Sequence, residues 1–397
     1  MGEELAGRAD ALTEARGHGD PARIAVALAR RGCAQLAAGR LDPAWPTAVV
    51  EAARLVDGLT EAHLAGHLMA ALWLGRWEIR LDRYVDAARH LEHGLAVAAA
   101  TGQEHLAPAL RAELGTAYIA LGRLAEAIDC LADAIDGARA AGDPELAAIA
   151  LGRRAWAEAW CGNLDAATVY ARWAGRDGGP AAARERVLVD HLSGDSAGCA
   201  QRLTGDAGGP ELSAMDITER AGWFELLAEA EAASGRPEAA DAWAGRAYVL
   251  AETLSLPGKR ACALLARAWA SANLAPEPAA RHAELAATLF AQVGDRLGQA
   301  RALLLAGQCR ADERLLTSAE RLFAECGAQA RRPGLFRPTD ALTEPELVVA
   351  LLVAAGHSNH EVAAKLFLSV RTVEGVLARV YRKMGLGGRE TGPPRSA

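Results

Sequence analysis

The stretch ELGTAYIALGRLAEAIDCLADAIDGARAAGD, residues 113–143, decides the fold. It reads as one amphipathic helix, a turn at Gly122-Arg123-Leu124, and a second amphipathic helix. Gly115, Ala117 and Ala127 are small enough to let the paired helices approach closely. Outward from this unit the turn recurs. GRL stands at 39–41, DRY at 82–84, GNL at 162–164, GDS at 194–196 and GRP at 235–237, with Ala275-Pro276 and Ala311-Asp312 continuing the series. Successive gaps are 43, 40, 40, 32, 41, 40 and 36 residues. A period near 40 with one helical pair per unit means an alpha solenoid of about seven pairs, because a single pair cannot bury its own apolar face.

Within residues 113–143, LG-x-AY in the first helix, LG at the turn, and EAI and AI in the second resemble the tetratricopeptide repeat. That repeat has a period of about 34, so these units are longer. The surplus extends the second helix into links such as ATGQ at 100–103, AAGDP at 140–144 and SLPGK at 255–259. Glycine-proline clusters at Gly178–Pro180 and Gly208–Pro210 bracket the shortest unit and mark a local irregularity.

The 397 residues leave room for a long repeat array plus a small domain. Hydrophobic residues make up 51% and aromatics only 5%, much of the former being alanine, which favours close-packed helices over any sheet class. The polar start MGEELAGRADALTEARGHGD is neither a secretory signal nor a transit peptide. No apolar run approaches the roughly 18 residues of a membrane span, so a cytoplasmic location is expected. The seven cysteines form no Cys-x-x-Cys pair and read as small core residues, not zinc ligands.

Near the C-terminus the pattern changes. LTEPELVVALLVAAGHSNHEVAAKLFLSVRTVEGVLARVYRKMGLGGR, residues 342–389, spells three short helices. Thr343 with Glu346 forms a capping box before the apolar run Leu347–Ala355, and Gly356 supplies the stop. Ser358 with Glu361 opens a second helix carrying Val362, Ala363 and Leu366. Ser369 caps a third, which runs to Met384 and stops at Gly385. In that third helix Val373, Leu377, Val380 and Met384 are spaced to pack inward. Arg371, Glu374, Gly375, Ala378, Arg379 and Arg382 fall on the opposite side. Six basic residues from Lys365 to Arg389 against the single acid Glu374 give a net +5 in a chain of net −7. A helical trio closing on a cationic helix is the layout of a helix-turn-helix, whose second motif helix enters the DNA major groove.

At these residues the stretch resembles the LuxR-type DNA-binding domain. It carries LT…E at the start, G-x-SN-x-E-V-A in the scaffold helix, L-x-x-S-x-x-TVE into the recognition helix, and YRKMG at the close. The resemblance implies double-stranded DNA as partner and a contact set of Asn359, Ser369, Arg371, Thr372, Glu374, Gly375, Ala378, Arg379, Arg382 and Lys383. In that set Asn359 and Thr372 make neutral phosphate contacts. Glu374 can accept from a cytosine amino group, and Arg371 or Arg379 can reach guanine. Three departures stand out: Val348 where the family has a second glutamate, Val376 where a histidine is common, and Gly392-Pro393-Pro394 where a fourth, dimerising helix should run.

The order of repeats, the final helix AERLFAECGA and the basic linker RRPGLFRPTDA also resembles the C-terminal part of the large ATP-binding LuxR-type regulators. Their ATPase module has no counterpart here, since the nearest approach to a phosphate loop, Pro257-Gly258-Lys259-Arg260, lacks both the loop and the hydroxyl. Residues 1–328 are expected to form the repeats, 329–340 the linker, 341–389 the DNA-binding domain and 390–397 a tail.

Other constellations point to no chemistry. His63 and His67 lie four apart without a third ligand in view, and His90 and His93 form a looser pair; partly exposed surface histidines are the expectation, with no metal. Trp73/Trp77 and Trp156/Trp160 each share a helix face, either as core between repeats or as lining of a concave groove. No Ser-His-Asp, Cys-His or paired-carboxylate arrangement is present, so no enzyme and no cofactor are expected. The sequence therefore points to an all-α transcription regulator whose repeats receive a protein or small-molecule effector and support a homodimer. The alternative is a helical-repeat scaffold whose terminal domain no longer binds DNA usefully.

Overall fold

The computed structural model describes residues 11–177, 181–194, 196, 198–330, 344–354 and 357–383. The chain divides into two compact units, Met1–Arg331 and Arg332–Ala397. The first begins with a helix over residues 11–18 (α1). It continues with α2 (Pro21–Ala37), α3 (Trp45–Asp57), the single turn α4 (Glu61–Ala65), α5 (Met69–Arg80) and α6 (Tyr84–Thr101). Next come α7 (Ala107–Ala120), α8 (Leu124–Ala140), α9 (Pro144–Cys161), α10 (Leu164–Asp177), α11 (Ala181–Leu192) and α12 (Cys199–Asp206). The unit closes with α13 (Ile217–Ala233), α14 (Pro237–Leu254), α15 (Pro257–Ser271), α16 (Pro276–Val293), α17 (Arg296–Arg310) and α18 (Glu313–Glu325). The second unit holds α19 (Glu344–Ala354), α20 (Asn359–Leu366) and α21 (Val370–Lys383). Among the described residues there is no strand.

Every turn marked by the sequence period separates the two helices of a pair. Gly39, Gly122, Gly162, Gly194 and Gly235 take φ between 72° and 93°, and Asp82 and Ala311 take 62° and 52° in the same role. The bond that closes these turns repeats as well. The amides of Arg83, Arg123, Asn163 and Arg236 donate to the carbonyls of Glu78, Tyr118, Glu158 and Glu231 at 2.8–2.9 Å, the Schellman pattern that satisfies the last carbonyls of a helix. First helices of pairs are capped by aspartates: Asp20, Asp143, Asp216 and Asp295 accept backbone amides at the starts of α2, α9, α13 and α17, and Asp312 does the same for α18 within the last pair. The shortest pair, α11 with α12, is followed by Gly208 and Gly209 at φ 81° and 85°; the cluster at 178–180 lies outside the described residues.

First helices of successive pairs pack in a row, and the row meets itself, with α2 touching α13 and α7 touching α17. Asp82 fastens this closure: its carboxylate accepts the amide of Gly258, 176 residues on, at 2.9 Å and lies 2.7 Å from Lys259 Nζ. Close approach within pairs rests on small residues. A Cβ on Gly75 would lie 2.5 Å from Leu91, and one on Gly115, forty residues later, 2.6 Å from Leu131. Gly115→Val is therefore expected to cost about 1–3 kcal/mol by overpacking, read as a lowered urea midpoint; an unchanged midpoint would mean Leu131 yields freely.

Candidate nucleic-acid interface

Local signals build the second unit from its short helices. Ser358 and Glu361 form the reciprocal box expected of them: Ser358 N–H donates to Glu361 Oε2 at 2.8 Å, and Glu361 N–H to Ser358 Oγ at 3.4 Å. Phe367, at φ 54°, ends α20 in the left-handed conformation. Ser369 Oγ accepts the Thr372 amide at 3.0 Å and bonds Thr372 Oγ1 at 2.7 Å, so α21 starts where the sequence places it. Thr343, Gly356, Met384 and Gly385 lie outside the described residues.

Beneath these caps Val349, Val362, Ala363, Val373, Val376, Leu377 and Val380 form one buried cluster, flanked by Ala350, Leu352, Val353, Leu366 and Val370. Val376 is the instructive member: in place of a polar residue it adds to the core, widening the buried face of α21. Val348 is 38% exposed and anchors nothing inside.

What α21 leaves outside is polar. Arg371, Thr372 and Glu374 are exposed, and nothing stands within 4 Å of where a Gly375 side chain would begin. The ground over Gly375 is open, as close approach of another surface requires. Asn359 is half-buried at the start of α20, and Lys365 Nζ lies 2.7 Å from His357 Nε2. The side chains of Ala378, Arg379, Arg382 and Lys383 lie outside the described residues; their backbone continues α21. A buried apolar face, capped starts and an exposed face carrying Arg371 and Glu374 are what a helix needs to enter a groove and present donors and acceptors to base edges.

Comparison with known proteins agrees. Residues 340–391 match the family described as bacterial regulatory proteins, luxR family. This segment is a LuxR-type helix-turn-helix. The chain is accordingly a DNA-binding transcription regulator, its LuxR-type domain placed after a tetratricopeptide-like alpha solenoid. A solved structure of a Rap protein complexed with competence and sporulation factor aligns over 91% of this chain and 87% of its own, at 11% identity and a TM-score of 0.42. No curated protein matches the chain.

The inner row of the solenoid carries chemistry that sequence spacing missed. Arg76 and Arg153 hold Glu113 at 2.9 and 3.3 Å, and Arg80 holds Asp216 at 2.9 Å. Burial pushes the Glu113 carboxyl up, but Arg153, Arg76 and Arg80 outweigh it and bring it down to about 2. Trp77 and Trp160 are buried, while Trp73 and Trp156 are half-buried. Trp73 lies between the guanidiniums of Arg30 and Arg76, at 5.3 and 4.9 Å, and Trp156 meets Trp223 edge to face at 5.8 Å. Among the histidines, His90 is a buried partner of Glu78 at 2.7 Å and not a surface group, because burial of Glu78 demands a donor beside it. His63 and His67 gain a neighbour that spacing could not reveal, Asp20. No described helix is long and apolar enough to cross a membrane.

Proposed function

We propose that α21 enters the major groove with Arg371, Glu374, Gly375, Ala378 and Arg379 toward base edges. Asn359, Ser369, Thr372, Arg382 and Lys383 stand toward phosphates, with Ser369 acting mainly by holding Thr372. The observation that carries this reading is the open ground over Gly375, flanked by exposed Arg371 and Glu374 on a helix whose other face is closed in the core. The solenoid then receives the signal, a protein partner or small effector taken at its inner row of arginines, glutamates and tryptophans. Pairing of two chains through the repeats supplies the second half-site. This assigns the chain no catalytic role, and its order of repeats and DNA-binding domain resembles the C-terminal part of the ATP-binding LuxR-type regulators.

Selection of DNA sites by the full chain is expected to enrich one short motif. Arg371→Ala should weaken binding to it about tenfold, the worth of one good base contact, and relax the preference at a single base pair. A selection that enriches nothing, or a variant that binds the motif unchanged, ends this assignment.

A further inference from the structure

Three side chains from two distant places in the sequence meet beside the first helical pair. Thr60 Oγ1 accepts the His63 amide at 3.2 Å and starts the turn of α4, which puts His63 and His67 on one side, ring centroids 5.1 Å apart. His67 Nδ1 lies 3.2 Å from the His63 carbonyl oxygen. A carbonyl only accepts, so Nδ1 is the nitrogen that carries a proton in this contact, and in the neutral ring Nε2 is then the nitrogen left to ligate. From the other side comes Asp20, the cap of α2. His63 Nε2 is 3.3 Å from its Oδ1 and His67 Nε2 is 3.4 Å from its Oδ2, and one ligand atom from each residue falls within 4.8 Å of the others.

The distances discriminate between two uses of this cluster. Direct charge-assisted hydrogen bonds settle at about 2.7–2.9 Å. Ligands around a tetrahedral ion with bonds of about 2.0–2.1 Å stand roughly 3.3–3.4 Å apart, which is the spacing of each imidazole Nε2 from its nearest Asp20 oxygen. The set is also the right chemistry: two neutral imidazoles and one carboxylate suit a borderline divalent ion and leave a fourth position for water. Side chains 38%, 29% and 22% exposed leave that position open to solvent. Arg23 Nε stands 3.5 Å from Oδ2 on a side chain 60% exposed, free to swing aside.

We propose that Asp20, His63 and His67 bind one divalent transition-metal ion of the zinc class, tying the start of α2 to the turn that leads into α5. The proposal is independent of DNA binding. The test is a titration of the untagged full chain with Co2+, followed by visible absorption. The expected result is one equivalent bound, with the intense bands of a tetrahedral ion that disappear when Zn2+ displaces it. Asp20→Asn, which keeps a good helix cap, and His63→Gln and His67→Gln should each weaken binding at least tenfold, since loss even of an outer-shell partner costs about 10–100-fold. His93→Gln, at an exposed histidine of α6, should bind as the unaltered chain does. Circular dichroism of each variant separates lost folding from lost ligation. Absence of the tetrahedral bands, or equal affinity in folded forms of the three ligand variants, overturns the proposal.

Discussion

Arg301→Ala is expected to destabilise the repeat unit by about 3–5 kcal/mol, the cost of breaking a buried ion pair from one side. Arg301 reaches from α17 to two carboxylates of α13, Glu225 at 2.7 Å and Glu229 at 2.5 Å. The two acids stand one helical turn apart with side chains only 3% and 7% exposed. One guanidinium neutralises both, and it also lies over the Trp160 ring, 5.6 Å from its centre. Burial and the neighbouring Glu229 hold Glu225 above the usual carboxylate range despite Arg301. On Glu229 burial also acts upward, but Arg301 and His191 outweigh it and hold the group low. Without Arg301, desolvation and mutual repulsion act with only His191 opposing, so both carboxyls bind protons more tightly folded than unfolded. For such groups the folded state is favoured most below the unfolded value of about 4.3, and that advantage is lost as pH rises through the folded value. The gap between variant and parent should therefore be smaller at pH 5.5 than at pH 8. Glu225→Gln added to Arg301→Ala should recover part of the loss, by removing one of the two stranded charges. Urea unfolding at both pH values measures all of this. A variant as stable as its parent at pH 8, or a gap that widens in acid, would show that Arg301 does not bridge the pair.

What was legible in the sequence, and what was not, follows the range of the interactions. Turns and caps are local, so Gly39, Gly122, Gly162 and Gly235 marked the solenoid period, and Ser358, Glu361 and Ser369 marked two helix starts of the DNA-binding domain. The repeated burial of glutamates was half visible. Glu78, Glu158 and Glu231 recur five positions before Arg83, Asn163 and Arg236, and the last two glutamates fold back onto those residues. A search for acids at fixed distance from the turn would have found them. Contacts that close the row carry no local sign: Arg80 with Asp216, 136 residues apart, and Asp82 with Gly258, 176 apart, depend on how successive pairs accumulate curvature. Asp20 beside His63 and His67 belongs to the same class, since its sequence role as a cap hides its second role. Val376 departs from the residue type common in the LuxR-type domain, and the helical spacing of Val373, Val376, Leu377 and Val380 places it on the inner face.

Raising monovalent salt from 50 to 200 mM should weaken specific DNA binding by the full chain on the order of 100-fold. The magnitude comes from four cations of α21 in a chain of net charge −7: Arg382 and Lys383 meet phosphates, and Arg371 and Arg379, lying in the groove beside the bases they read, neutralise the flanking phosphates as well. Each phosphate neutralised adds roughly −0.9 to the log-log slope, so four give about −3.6 per domain. The net-acidic balance of the chain as a whole makes the attraction depend on its basic C-terminal stretch, chiefly on this helix. Two classes of variant should then separate. Arg382→Ala with Lys383→Ala should weaken binding uniformly across sequences and flatten the slope by about two units, because phosphates carry no sequence information. Glu374→Ala should leave the slope nearly unchanged and relax the preference at one base pair by about 1–3 kcal/mol, because its role lies with a base edge. The slope also reads assembly. A single domain on a half-site gives a value near −3.6, whereas two chains paired through their repeats on a palindrome double it to about −7. Filter binding of the full chain across salt, at protein concentrations above and below the onset of pairing in sedimentation, distinguishes the two. A slope that stays near zero, or that survives removal of the α21 cations, would place the DNA contact elsewhere than on α21.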